Sequence, residues 1–157
     1  MPAEPVRIVE FPETRVAVLT HRGDPARIGD SVRAFIAWRR QAGLPPGASA
    51  TYNILHGDPA TTPPEGFRLD LCAGTDKHVG PNTAGVVAGV IPGGRCAVLR
   101  HVGDEAGLKA ALVQLCADWL PQSGETRREA PPFLQRVRFG PDVPEGEAVT
   151  DIFLPLA

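Results

Sequence analysis

The chain has 157 residues, a formal net charge of -2 and 22% charged residues. That length suits one globular domain with a continuous core, and no run of Lys and Arg is long enough to neutralise a stretch of phosphates, which argues against direct nucleic-acid binding. Residues 1–5 carry no basic or apolar leader pattern, the longest apolar stretch (84–91) is far too short to span a bilayer, and Cys72, Cys96 and Cys116 are odd in number and widely spaced, so the expectation is cytoplasmic residence, no membrane span, reduced thiols, no metal and no other cofactor.

In chain order, residues 16–20 are short, apolar and partly β-branched, which predicts a strand. Gly23 follows as a turn residue, Asp24 as a helix cap and Pro25 as a first-turn residue. Ile28, Val32, Phe35 and Ile36 then fall on one helical face, while Arg27, Arg33, Arg39 and Arg40 lie largely elsewhere, and Gly43 with Pro45-Pro46 stops the helix. Two strands, about 51–56 and 67–72, come next, separated by the turn-rich Gly57-Asp58-Pro59 and Pro63-Pro64-Glu65-Gly66. After a link at 74–81 the order returns: a strand at 96–100, and a helix capped by Asp104 that bears Leu108, Leu112, Leu115, Cys116 and Trp119 and is expected to end at Pro121. Strands at about 133–139 and 148–154 close the sequence.

The recurrence is a duplication. Val16-Ala17-Val18-Leu19-Thr20-His21-Arg22-Gly23-Asp24 aligns without gaps on Cys96-Ala97-Val98-Leu99-Arg100-His101-Val102-Gly103-Asp104, with six of nine pairs identical. At the same offset Pro12 falls on Pro92, Ile28 on Leu108, Val32 on Leu112 and Phe35 on Leu115. The fold class expected is α+β: one domain over 1–157 made of two strand-helix-strand-strand copies, about 6–73 and 85–156, each with a one-sided helix that needs a sheet to cover.

Three segments resemble a known family. The paired Leu19-Thr20-His21-Arg22-Gly23 and Leu99-Arg100-His101-Val102-Gly103, the run Gly57-Asp58-Pro59, Thr62-Pro63-Pro64-Glu65 and Arg68-Leu69-Asp70-Leu71-Cys72, and the ending Thr150-Asp151-Ile152-Phe153-Leu154-Pro155-Leu156 are similar to GyrI-like (gyrase-inhibitor-like) small-molecule-binding domains, relatives of the effector-binding domains of AraC- and MerR-type regulators. The resemblance implies pseudo-twofold copies whose antiparallel sheets form a concave groove, with the helices on the opposite face. It also implies a hydrophobic small molecule as partner. Three activities are compatible with it: stand-alone binding of a xenobiotic, hydrolysis of an electrophilic, cyclopropane-type toxin, and a protein contact with DNA gyrase. Because the duplicated unit fills the sequence, no helix-turn-helix segment is expected.

Strand alternation nominates the groove residues. With Ile152, Leu154 and Leu156 turned to the helices, Asp151 and Phe153 point the other way, and Asp70 and Cys72 are their counterparts in the first copy. The same reading adds Asn53 and Leu55 opposite Leu134 and Arg136 on the preceding strands. Tyr52, Phe133, Phe153, Trp38 and Trp119 are the aromatic candidates, each at least as well suited to core packing as to ligand stacking. Asp70 and Asp151 could act as general bases if desolvated, or pair with Arg68 and Arg136, and Tyr52 is the third catalytic candidate. Family members that bind drugs commonly carry a Glu on the strand that here reads Phe133-Leu134-Gln135-Arg136. The neutral Leu134, with Arg136 where a Tyr is common, departs from that pattern and favours a neutral or anionic ligand over a cation. His21 and His101 read as duplicated strand-end residues that satisfy backbone groups.

Overall fold

A computed structural model describes residues 6–56, 64–140 and 142–157. The expected turn residues Gly57-Asp58-Pro59, Thr62-Pro63 and Pro141 lie outside the described residues. Eight strands and the helices alternate along the chain: β1 (Arg7–Phe11), β2 (Thr14–Arg22), α1 (Ile28–Gln41), β3 (Thr51–His56), β4 (Arg68–Gly74), β5 (Val87–Ile91), β6 (Gly94–Val102), α2 (Glu105–Gln114), α3 (Leu120–Ser123), β7 (Phe133–Arg138) and β8 (Val149–Pro155). The fold class is α+β with antiparallel pairing throughout these ladders.

The strand-helix-strand-strand reading needs one more strand at the front of each copy, β1 and β5. Both are five residues long and mostly exposed, with one buried residue each, Phe11 and Ile91. A strand so thinly buried carries little apolar alternation to read.

The chain divides into two compact units, Glu13–Pro92 and Met1–Pro12 with Gly93–Ala157. Within the first, the strand order is β3-β4-β2-β5, and within the second β1-β6-β8-β7. The opening strand of each copy therefore pairs with the β2 equivalent of the other copy: Arg7 lies opposite Val98, and Thr14 opposite Ile91. Turn chemistry explains why β1 does not fold back on β2. The two residues between them are Pro12 and Glu13, and between β5 and β6 they are Pro92 and Gly93. Two-residue hairpins need positive φ at the first turn position, which the proline ring forbids.

Each unit packs a helix on one face of its sheet. In the first, Phe35 of α1 meets Ala17, Leu71, Ala73 and Val86, flanked by Leu19, Val32, Trp38 and Leu69. Trp38 stacks on Phe35 with ring centroids 6.0 Å apart. On β5, glycine is required at position 89, because a Cβ there would come within 2.8 Å of Val18 Cγ2.

The helix starts differ between the copies. Asp24 accepts from the Ala26 N–H and caps a short 3-10 turn, Pro25–Arg27, ahead of α1, whereas Asp104 accepts from the Gly107 N–H and caps α2 directly. The second helical segment does not stop at Pro121. It passes from α2 through a π turn, Leu115–Trp119, into α3 and ends at Gly124, whose φ is 76°. The wider turn shifts the hydrogen-bond register so that Pro121, which has no N–H to donate, sits in the first turn of a new segment.

Arg39 ties α1 to the loop that follows it. Only 3% exposed, it donates from Nε to the Leu44 carbonyl at 2.7 Å, from Nη1 to Thr51 Oγ1 at 2.7 Å, and from Nη2 to the Ser49 carbonyl and hydroxyl at 3.0 Å each. Burial pulls its pKa down from the ordinary arginine value, so these acceptors are what hold the charge there. Arg39→Met removes the donors and leaves the two carbonyls short of partners, and should lower stability by about 2–4 kcal/mol. Urea denaturation reads the loss; an unchanged midpoint would show that the staple carries no weight.

Candidate functional site

Cross-strand partners share a sheet face, so the register decides which candidates meet. In the Glu13–Pro92 unit, Thr20 lies opposite Asp70, Ile54 opposite Asp70 from the other side, Tyr52 opposite Cys72, and His56 opposite Arg68. These side chains occupy the face that α1 does not cover. Asp70 is 5% exposed and is the centre of the group. Thr20 Oγ1 donates to its Oδ1 at 2.6 Å, His56 Nε2 lies 2.8 Å from Oδ2, and Arg68 Nε stands 3.6 Å from Oδ1. Cys72 beside it is fully buried, and burial, followed by the Asp70 charge, pushes its thiol pKa far above the usual value. Burial likewise raises the Tyr52 phenol.

The Met1–Pro12 and Gly93–Ala157 unit repeats this layout with different chemistry. Arg100 lies opposite Asp151, Phe153 opposite both Val98 and Phe133. Arg100 grips Asp151 with two hydrogen bonds, Nε to Oδ1 at 2.8 Å and Nη2 to Oδ2 at 3.1 Å, a bidentate fork that engages both carboxylate oxygens. Phe11, Phe133 and Phe153 form an aromatic cluster on the same face, with centroids 4.8 Å (Phe11 to Phe133), 5.2 Å (Phe11 to Phe153) and 4.7 Å (Phe133 to Phe153) apart.

Four candidates face the other way. Asn53 lies opposite Leu71 and Leu55 opposite Leu69, on the α1 side of the first sheet, where Asn53 Nδ2 donates to the Tyr52 carbonyl. Leu134 lies opposite Ile152 and Arg136 opposite Thr150, and Arg136 donates to Glu105, the first residue of α2, at 2.6 Å. The expected pairing of Arg136 with Asp151 is thus corrected: Asp151 takes Arg100 and Arg136 takes Glu105. Alternation fixes the period of a strand but not its phase against a neighbour, and the phase here puts Tyr52 and Phe133, rather than Asn53 and Leu134, with the carboxylates. Trp38, on α1, packs against the core between that helix and its sheet, and Trp119 belongs to the π turn after α2.

Phe11, Thr20 and Arg100 escaped the sequence reading of this face. A signal for two of them was available: Thr20 and Arg100 are among the few mismatches in an otherwise conserved nine-residue repeat. The duplicated histidines do hold backbone, each placing Nε2 near a cap-residue carbonyl, Asp24 for His21 at 3.0 Å and Asp104 for His101 at 3.1 Å.

These features define a duplicated antiparallel α+β domain in which each unit buries one strand-borne carboxylate on the sheet face away from its helix. The chain belongs to the family described as GyrI-like small molecule binding domain, which matches residues 4–157. It is 40% identical over 153 residues to the probable transcriptional regulator YgiV of Escherichia coli K12, an alignment covering 97% of this chain and 96% of that one. Its fold is similar to that of the EcmrR C-terminal domain, with a TM-score of 0.76 at 17% identity and 98% of both chains covered. The chain spans 57% of the EcmrR chain solved with DNA. SAV2435 bound to tetraphenylphosphonium shows a TM-score of 0.53 at 14% identity over 98% of this chain and 94% of that one. Among the described residues no helix is long and apolar enough to cross a membrane, and no group of three His, Cys, Asp or Glu could hold a metal ion.

The thiols give a direct check on this geometry. Cys72 and Cys96 are fully buried with raised pKa values, whereas Cys116 is half-buried. Because the thiolate is the reactive form, a disulfide reagent should modify Cys116 alone in the native protein and reach Cys72 and Cys96 only as denaturant unfolds the chain. Fast native modification of Cys72, read by peptide mass mapping, would contradict the placement of β4.

Proposed function

We propose that this chain binds a hydrophobic small molecule that is uncharged, using the strand faces turned away from the helices. Membership of a small-molecule-binding family across residues 4–157 supports binding as the activity. The charge state of the ligand rests on one observation, that both buried carboxylates on these faces already have partners. A carboxylate that must stabilise a lipophilic cation has to keep its charge available. Asp151 is forked by Arg100, and Asp70 is shared by Thr20, His56 and Arg68. SAV2435, by contrast, is a relative in fold that was solved with a cation. Affinity here comes from aromatic and aliphatic area, with Tyr52 as the polar handle.

Tryptophan fluorescence and thermal shift against neutral aromatic compounds, tetraphenylphosphonium and tetraphenylborate test this reading. A neutral compound should bind more tightly than either ion, and Phe153→Leu, shown to be folded by its melting transition, should weaken it about tenfold. A preference for tetraphenylphosphonium, or silence across the whole panel, would sink the proposal.

A hydrolytic reading is favoured by one contact only, the 2.8 Å approach of His56 Nε2 to Asp70 Oδ2. An oriented imidazole of this kind can activate water against an electrophilic ligand. Turnover of a cyclopropane-bearing toxin, followed by product mass, should then disappear in His56→Gln and persist in Asp151→Asn. Turnover indifferent to His56 would rule this pair out.

A further inference from the structure

At the turn between β2 and α1 lies a surface depression lined by Thr20, His21, Arg22, Asp24, Arg27, Asp30 and Ser31. The His21 ring is not part of the carboxylate face described above: it alternates with Thr20, which donates to Asp70, and points to the helix side. His21 is 6% exposed, and both its ring nitrogens are engaged. Nε2 lies 3.0 Å from the Asp24 carbonyl oxygen, and Nδ1 lies 2.8 Å from Ser31 Oγ. A carbonyl oxygen can only accept, so Nε2 carries the proton. In the neutral ring Nδ1 is then the lone-pair nitrogen, and the Ser31 hydroxyl donates to it. The tautomer is set by the backbone, and the hydroxyl is left polarised toward a base.

Comparison of the two copies separates the structural part of this arrangement from the rest. His101 keeps the contact to the Asp104 carbonyl, so that contact belongs to the duplicated turn. The position matching Ser31 at the same offset is Ala111. Only the first copy adds a hydroxyl at this position, and that hydroxyl belongs to a residue lining the depression. Asp30 does not compete for the imidazole, being paired with Arg27 and Arg33. Arg22, which also lines the depression, makes no ion pair with a described residue.

We propose that Ser31 and His21 form a nucleophile and general-base pair, with the Asp24 carbonyl as positioning group, that reacts with small activated esters. Ser31 Oγ attacks the acyl carbon while its proton passes to His21 Nδ1. The imidazolium keeps its Nε2–H on the Asp24 carbonyl and returns the Nδ1 proton to the departing alkoxide, which leaves as the alcohol. Water, deprotonated by the same nitrogen, then cleaves the acyl-serine and regenerates the hydroxyl.

An alkyl fluorophosphonate tests the first step, since attack forms an Oγ–P bond, expels fluoride and passes the proton to His21. The intact protein should gain a single adduct, mapped to Ser31, at a rate at least about 100-fold above that of Ser49 and Ser123 in the same chain, in keeping with the usual size of general-base assistance. Those two hydroxyls are internal references, because their hydrogen bonds run to an arginine and to a carbonyl rather than to an imidazole. Ser31→Ala should abolish the adduct, and His21→Asn, which can still donate to the Asp24 carbonyl, should slow it by a similar factor. No adduct, an adduct elsewhere, or a Ser31 rate no faster than the reference serines would overturn the assignment, and the last comparison needs no variant to fold.

Discussion

Backbone pairing between β2 and β4 puts Thr20 opposite Asp70, and the equivalent ladder between β6 and β8 puts Arg100 opposite Asp151. These two registers decide which side chains on the carboxylate faces can act together. Shifting either ladder by one residue would turn the carboxylate toward the helix and bring a leucine or isoleucine out in its place. The flanking pairs β3 with β4 and β7 with β8 inherit the same phase, and that inheritance assembles Tyr52, Cys72 and His56 around Asp70, and Phe133 and Phe153 beside Asp151.

The two equivalent strands meet the same electrostatic problem in different ways. A carboxylate at 5–7% exposure is costly unless its charge is met. In the second copy the answer is a single arginine fork, which fixes both oxygens and leaves little capacity for another partner. In the first copy the load is divided between a hydroxyl, an imidazole and a more distant guanidinium. The divided arrangement is the more adaptable, since none of its members grips both oxygens. Divergence in chemistry is therefore concentrated at the positions where the repeats disagree, while Ala17, Leu19 and their copies keep the packing common to both.

The same contrast appears at the strand-to-helix turns. His21 and His101 are duplicated because each satisfies a carbonyl at a helix start, a backbone requirement that any copy of the unit must meet. What surrounds each ring was free to change, and Ser31 against Ala111 is one such change. Shared residues in this chain report folding, and unshared ones report what each half was left free to do.

Local pattern in the sequence was enough to determine the duplication, the α+β class, the two one-sided helices and the six strands with a clear apolar signature, because each depends on short-range periodicity and on Gly, Pro and Asp at turns. The opening strands β1 and β5 were not legible: they are edge strands with one buried residue apiece, and their partners lie some eighty residues away. Pro12 and Pro92 were visible as a repeat, yet their effect, sending each opening strand to the other copy's sheet, exists only once the ladders form. Asp70, Cys72, Asp151 and Phe153 could be grouped by alternation within β4 and β8. Placing Tyr52 rather than Asn53, Phe133 rather than Leu134, and Arg100 rather than Arg136 beside them required the cross-strand register, which long-range hydrogen bonding settles and a single strand's sequence does not encode.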